Sequence, residues 1–377
     1  MINDKFILHK LFSLISFFTV LTLSTQEVFS VAVPLCFSLL MLVCIKPIYL
    51  IKISRRELFF SIFVILSYIL MFSVTIISTS DPFDDLQIRR VLFGIILFFL
   101  FVAITNNATT QQRNLFVSSI EFVLIIHISI FFIQFLTYHL FSIKLDIVEL
   151  FGFQSNSELG IGEIIFYRPS GLYLEPGTFG LQLFFLYVCV SLLKKVSWRT
   201  TIIVALVLVS TYSIFSILFA VVIIAYRYSE NNKNNFISWL VFLSLFIFGC
   251  LIYFQDYLIS RFLERSDGSL EVKLEVVYWF LSWDIFKYFL GNGLANNSHF
   301  LVRDSSLFFN FIFTGGIVGF INILAYLILF LRCGFNFIIL FFGVFFSKGD
   351  YTYMTFWLMT ALFFYNGDEK VDKKNNR

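Results

Sequence analysis

The chain reads as a succession of apolar runs, each about as long as a helix needs to be to cross ~30 Å of hydrocarbon, separated by short polar stretches. Runs near residues 6–23, 28–45, 57–79, 89–105, 115–140, 175–193, 236–254 and 306–330 predict spanning helices, with two shorter ones near 335–347 and 351–366. The run 200–226 is long enough for one tilted helix, yet Ser210-Thr211-Tyr212-Ser213 in its middle is polar enough for a turn between two half-spans. Charge decides between these readings. With the N-terminus inside and the run split, the inner segments hold Lys46, Lys52, Arg55, Arg56, Arg113, Lys194, Lys195, Arg199, Arg227, Lys233 and Arg332. The basic tail with Lys370, Lys373, Lys374 and Arg377 falls on the same side. Short loops of that kind are the ones that set orientation.

The expectation is therefore an all-α, polytopic integral membrane protein of about twelve spans, one transmembrane domain over 1–377, with both termini cytoplasmic. Lys5 and Lys10 before the first run look like a signal sequence, but no small-x-small cleavage site follows, which predicts a retained first helix. Two segments, 141–174 and 255–305, then face outside and are too long to be plain connectors. In the second, Leu270, Leu274, Val277, Leu281 and Ile285 recur at helical spacing, with Glu271, Lys273, Glu275 and Lys287 off the stripe. Trp279 and Trp283 suit a headgroup interface, so an amphipathic helix on the outer leaflet is expected.

Composition agrees with the pattern. The 377 residues are 59% hydrophobic and 14% charged, against about 25% charged in soluble domains. The 54 phenylalanines beside 5 prolines point to codon bias more than to an aromatic binding device. Cys36, Cys44, Cys189, Cys250 and Cys333 lie in or at the edge of apolar runs without a C-x-x-C pair, as buried small residues do. A net charge of +3 with no dense Lys/Arg cluster excludes nucleic acid as a partner.

Candidate chemistry gathers at two loop ends. Tyr167-Arg168-Pro169-Ser170-Gly171-Leu172-Tyr173-Leu174-Glu175-Pro176-Gly177 puts an Arg and a Glu at a membrane boundary, where ionisable groups lose hydration. Pro176 after Glu175 is equally what an ordinary helix start looks like, and Arg168 can equally snorkel to headgroups. The second loop closes in Gly291-Asn292-Gly293, then His299, Arg303 and Asp304, ahead of a run containing Gly315-Gly316. His299 is a proton-transfer candidate near neutral pH, or an interfacial His with a structural bond. Arg261, Arg265, Lys273 and Arg303 sit outside against the positive-inside bias, which makes them candidates for holding an anion such as a diphosphate. Arg89 and Arg90, after Asp81-Pro82-Phe83-Asp84-Asp85, lie on that side too. No Walker loop, His-Glu-x-x-His or paired metal-ligand spacing occurs, and Asp84-Asp85 alone makes no metal site.

Over roughly residues 85–330, Arg168-Pro169-Ser170-Gly171, then Glu175-Pro176, then a second outer loop closing in Gly-x-Gly and Asp304-Ser305, resembles the bacterial O-antigen polymerase (Wzy) family and the related O-antigen ligases. The resemblance implies a GT-C-like, metal-independent glycosyltransferase of the bacterial inner membrane, without a cofactor. Its substrate would be a glycan on undecaprenyl diphosphate at the outer face, and its partners membrane lipids and a chain-length regulator protein. On this resemblance Arg168 engages donor phosphates, Glu175 matches the acid of the Glu-Pro motif and Asp304 the polar residue opening a late span. The chain departs from the family where Ser213 is followed by Ile214 and Phe215 rather than Arg, and where Lys273 stands for an Arg, keeping charge but losing the planar fork. Arg168 and Arg303 are expected to stabilise the departing diphosphate, and Glu175 or His299 to act as base. A ligase would differ in its acceptor. A lipid-linked glycan transporter would place polar groups at mid-membrane on broken helices.

Overall fold

In the computed structural model, which describes residues 2–25, 30, 32–45, 55–78, 85–161, 164–231, 268–294 and 306–375, the apolar runs are helices. They are α1 Ile2–Ser24, α2 Ala32–Ile45, α3 Arg55–Ser78, α4 Asp85–Asn107, α5 Thr110–Phe141, α6 Pro176–Leu193, α7 Trp198–Ser210 and α8 Ile214–Asn231. Beyond residue 267 come α9 Gly268–Leu281, α10 Ile285–Leu290, α11 Leu307–Cys333, α12 Phe337–Phe345 and α13 Met354–Asn375. Six of them, α1, α3, α4, α5, α6 and, counted end to end across the break described below, α11, have the length and apolar composition of a membrane span, as expected of a multi-pass membrane protein. Among the described residues, a short antiparallel hairpin, β1 Glu158–Ile161 with β2 Ile164–Tyr167, departs from the expected all-helical chain.

The run 200–226 is two helices. Thr211 caps α7, Tyr212 takes a left-handed φ of 52°, and α8 begins at Ile214. Both pack around α6, the most enclosed of the long helices, with 83% of its apolar window buried. Glycines set that closeness: a Cβ on Gly180 would lie 1.9 Å from Ser216 Oγ, so α6 and α8 meet nearly backbone to backbone, as small residues allow between helices in lipid. Aromatic faces fill the remaining contacts, with Phe184 stacked on Phe219 at 4.6 Å. The phenylalanines that looked like compositional noise therefore carry much of the packing.

Charge separates the two ends of the bundle. At one, Lys194 pairs with Glu121 at 2.6 Å, Arg227 pairs with Glu230 and lies over Trp198, and Arg113 lies over Tyr365. At the other, α5 runs on into residues 142–174. Its 32 residues extend ~48 Å, longer than the hydrocarbon layer.

The late run 306–330, expected as one span, is broken. Gly316 has φ 52° and ψ −124°, and the chain turns back there. The rings of Phe311 and Tyr326 come within 6.1 Å, although 15 positions of straight helix span ~22 Å. A Cβ on Gly319 would lie 1.7 Å from Phe311 O, so the arms 307–315 and 317–333 lie against each other. The Gly-x-Gly loop makes this tolerable in an apolar setting. Asn292 N donates to Phe313 O at 2.7 Å and Gly293 N to Thr314 O at 3.0 Å, satisfying carbonyls that the break releases. Leu294 N reaches Met71 O, and Thr75 Oγ1 donates to Leu294 O, tying the loop to α3.

A second interruption lies between α12 and α13. Leu307 N donates to Ser347 O at 2.9 Å and Asn310 Nδ2 to Gly349 O at 3.3 Å, while Asp350, 1% exposed, accepts from Thr352 N. Tyr351 meets Tyr68, ten residues before the end of α3, which places the interruption ~15 Å inside that helix end.

The helix expected in 255–305 is present as α9, and the face it turns to the protein is an aromatic one. Val276, Trp279, Phe280 and Trp283 pack on Phe309 and Phe313. Val277, Leu281 and Ile285, the stripe read from the sequence, are exposed. Two apolar faces share this segment, and the aromatic one has the better-fitting partner in the arm 307–315. The span expected at 236–254 lies outside the described residues.

Candidate functional site

The Arg168–Glu175 segment is held at the loop end of the bundle from three directions. The hairpin delivers it: Tyr167 ends β2, is buried, and its hydroxyl lies 3.0 Å from both Leu145 O and Asp146 Oδ1, sharing its one proton between them. Burial first, and the Asp146 carboxylate next, push this phenol well above its usual range, so it stays a donor. Ser155 and Ser157 donate to Asp146 Oδ2, each at 2.9 Å. Beside this knot Arg168 N donates to Ser157 O at 2.7 Å, and Asn156 N to Leu174 O at 2.7 Å. The segment is thus laced to Asn156 and Ser157, just ahead of β1, on both sides of its turn.

The turn is built on Gly171, with φ +64°. A Cβ there would lie 2.9 Å from the Phe179 ring, so both conformation and space call for glycine. Gln134 of α5, 0% exposed, takes both backbone groups of Gly171: its Oε1 accepts from Gly171 N at 2.8 Å, and its Nε2 donates to Gly171 O at 3.1 Å. The same Nε2 donates to Leu145 O at 2.9 Å, joining the start of the outer segment to its end.

Deeper along the same face of α5, Phe131 stacks on Phe179 at 5.3 Å, and His127 lies under Tyr173 at 5.5 Å between ring centres. The Tyr173 hydroxyl donates to Ser24 O. Ser24 Oγ gives its proton to Leu21 O, so His127 Nε2, 2.9 Å away, is the donor to Ser24 Oγ. His127 Nδ1 is buried and has no hydrogen-bond partner among the described residues.

Arg168 is half-buried, and its Nη2 donates to Asn156 O at 3.5 Å. Glu175 occupies the N-cap position of α6 ahead of Pro176, but its side chain makes no capping bond and is exposed. Its backbone carbonyl starts the helix by accepting from Phe179 N at 3.0 Å. The carboxylate is therefore available at the positive end of the helix rather than engaged in closing it. Between Arg168 and Glu175, Ser170 Oγ is buried without a partner among the described residues. Chemically the segment offers one guanidinium for an anion and one carboxylate able to take a proton, on a backbone held by buried bonds.

Arg89, exposed, and Arg90, half-buried, lie in the second turn of α4 at the same end of the bundle. Lys273 falls in α9, with its side chain outside what is described. Arg261, Arg265, His299, Arg303 and Asp304 lie outside the described residues. Among the described residues no group of three or more His, Cys, Asp or Glu is gathered as a metal site. Cys36, Cys44, Cys189 and Cys333 are free thiols.

Sequence reasoning passed over Gln134 and His127. The signal was there: two large polar residues seven apart in a stretch of α5 that is apolar apart from Ser129, where such groups are costly unless partnered. No family model, no curated protein and no solved structure matches this chain.

Proposed function

We propose that this protein polymerises surface-polysaccharide repeat units in the bacterial inner membrane, transferring a glycan from undecaprenyl diphosphate to a saccharide hydroxyl at the outer face. The observation that carries the reading is a fixed Arg168 with an uncommitted Glu175 seven residues on, at the end of an apolar bundle opposite the Lys194, Arg227 and Arg113 contacts. A guanidinium there suits a diphosphate by charge and by its planar donor fork. A carboxylate at a helix start suits removal of a proton from an acceptor hydroxyl, with His299 the other candidate for that step. About twelve spans, a GT-C-like arrangement and cytoplasmic termini belong to this reading, as do Arg303, Arg261, Arg265, Lys273, Arg89 and Arg90 as diphosphate contacts and Asp304 as a catalytic group.

The test is Arg168→Ala in cells that make a long-chain surface polysaccharide, read as banding on a gel. Long chains are expected to disappear while one-repeat forms on the lipid core persist. Loss of the one-repeat form as well points to a ligase, and wild-type chain length sinks the assignment.

One observation favours a second reading. The break at Gly316, the interruption near Asp350 and that residue's burial ~15 Å inside a helix end are features of transporters that bind cargo at mid-membrane. Lipid-linked single repeats accumulating on the outer face of a deletion strain exclude this alternative, whereas accumulation on the inner face selects it.

A further inference from the structure

Three side chains on one face of α5 each hold a different part of the 171–179 stretch. His127 lies under Tyr173, Phe131 stacks on Phe179 with ring planes 3° apart, and Gln134 brackets Gly171. Positions i, i+4 and i+7 of a helix form one stripe, so the helix acts as a straight template against which an irregular segment is laid. The irregular backbone would otherwise be poorly satisfied in this setting. Gly171 N and O both point to Gln134, and no helix or strand bond supplies an alternative at that residue.

We propose that Gln134 is the positioning residue of the Arg168–Glu175 site, its carboxamide setting the turn at Gly171 that separates the guanidinium from the carboxylate. The proposal rests on the functional reading above for its consequence in cells, but its geometric content is independent of it. Arg168 lies three residues before the bracketed glycine and Glu175 four residues after. Release of Gly171 therefore changes the distance between the two charged groups without touching either one. Phe131 and His127 supply bulk and a second anchor, but only Gln134 reads the backbone itself. Its bond to Leu145 O also makes the turn depend on where the outer segment leaves α5.

Gln134→Met keeps the length of the side chain and the helix propensity while removing every hydrogen bond, so it separates positioning from packing. In purified full-length protein, hydrogen exchange at Gly171–Tyr173 is expected to speed up about tenfold or more, with α5 and α6 retaining wild-type protection. In cells, Gln134→Met at wild-type protein level is expected to reproduce the Arg168→Ala banding. Gln134→Glu, which keeps an acceptor for Gly171 N, is expected to restore part of the chain length. Unchanged exchange at Gly171–Tyr173 overturns the proposal. Faster exchange with long chains retained, where Arg168→Ala abolishes them, also overturns it while leaving the functional reading intact. Long chains retained in both variants overturn the functional reading, and faster exchange then still supports the template geometry.

Discussion

Gln134 and Gly171 are joined by two hydrogen bonds through which one buried carboxamide satisfies both backbone groups of a left-handed glycine 37 residues away. The relationship explains why the Arg168–Glu175 segment has a defined shape although it is neither helix nor strand. A peptide unit buried without partners would cost about 1–3 kcal/mol for each unsatisfied group, more than a surface ion pair returns. The charged residues are thus carried by a backbone whose own polar groups are already satisfied.

The reversal at Gly316 should tolerate no side chain. Its φ is positive, and a Cβ would lie 2.6 Å from Tyr288 O and 2.7 Å from Gly291 N. Gly316→Ala is expected to cost about 2–4 kcal/mol through strain and displacement of the Gly-x-Gly loop, read as a lower Tm in detergent. Gly334→Ala is the control: its Cβ would meet only the Phe337 ring at 3.7 Å, so the strain of its φ of 143° acts alone and the loss should be smaller.

The α6–α8 contact makes a compensation test. Gly180→Ala should destabilise the bundle by about 1–3 kcal/mol, because the new methyl meets Ser216 Oγ 1.9 Å away. That hydroxyl has no hydrogen-bond partner among the described residues, so Ser216→Gly removes the obstacle without orphaning a partner. The double variant is expected to recover at least half of the loss, as a thermodynamic cycle of thermal melts would show.

Glu175 separates capping from chemistry. Since its side chain makes no capping bond and is exposed, Glu175→Gln should leave Tm unchanged to within about 0.5 kcal/mol of stability. Under the functional reading the same variant shortens the polysaccharide. A large loss of Tm would return the residue to a structural role at the start of α6.

Much of the architecture was legible in the order of apolar and polar residues. Ser210–Ser213 marked the turn between α7 and α8, because four polar residues in a row do not sit comfortably within one buried span. Arg168 and Glu175 stood out because charge next to an apolar run is expensive. Other features were not legible. The run around Gly315-Gly316 was expected as one span, since a sequence does not say where the carbonyls released by a break will find donors. Those donors are Asn292 N and Gly293 N, remote in the chain and brought there only by the packing of α10 and α3. The second apolar face of the 268–283 segment was likewise not legible, because only the fit of Trp279 and Trp283 against Phe313 shows that it packs on the bundle.

By itself the sequence determined that this chain is a multi-pass membrane protein, roughly where its helices begin and end, and that Arg168 and Glu175 lie where a polar segment runs into an apolar helix. These follow from local quantities, namely transfer cost summed over a window and the backbone limits of proline and glycine. The tertiary structure decided which buried polar residues meet. Gln134 reaches Gly171, His127 lies below Tyr173, and the arms of α11 close on each other. Such pairings depend on distances between elements far apart in the chain, and a polar side chain in an apolar run announces only that it needs a partner, never which one.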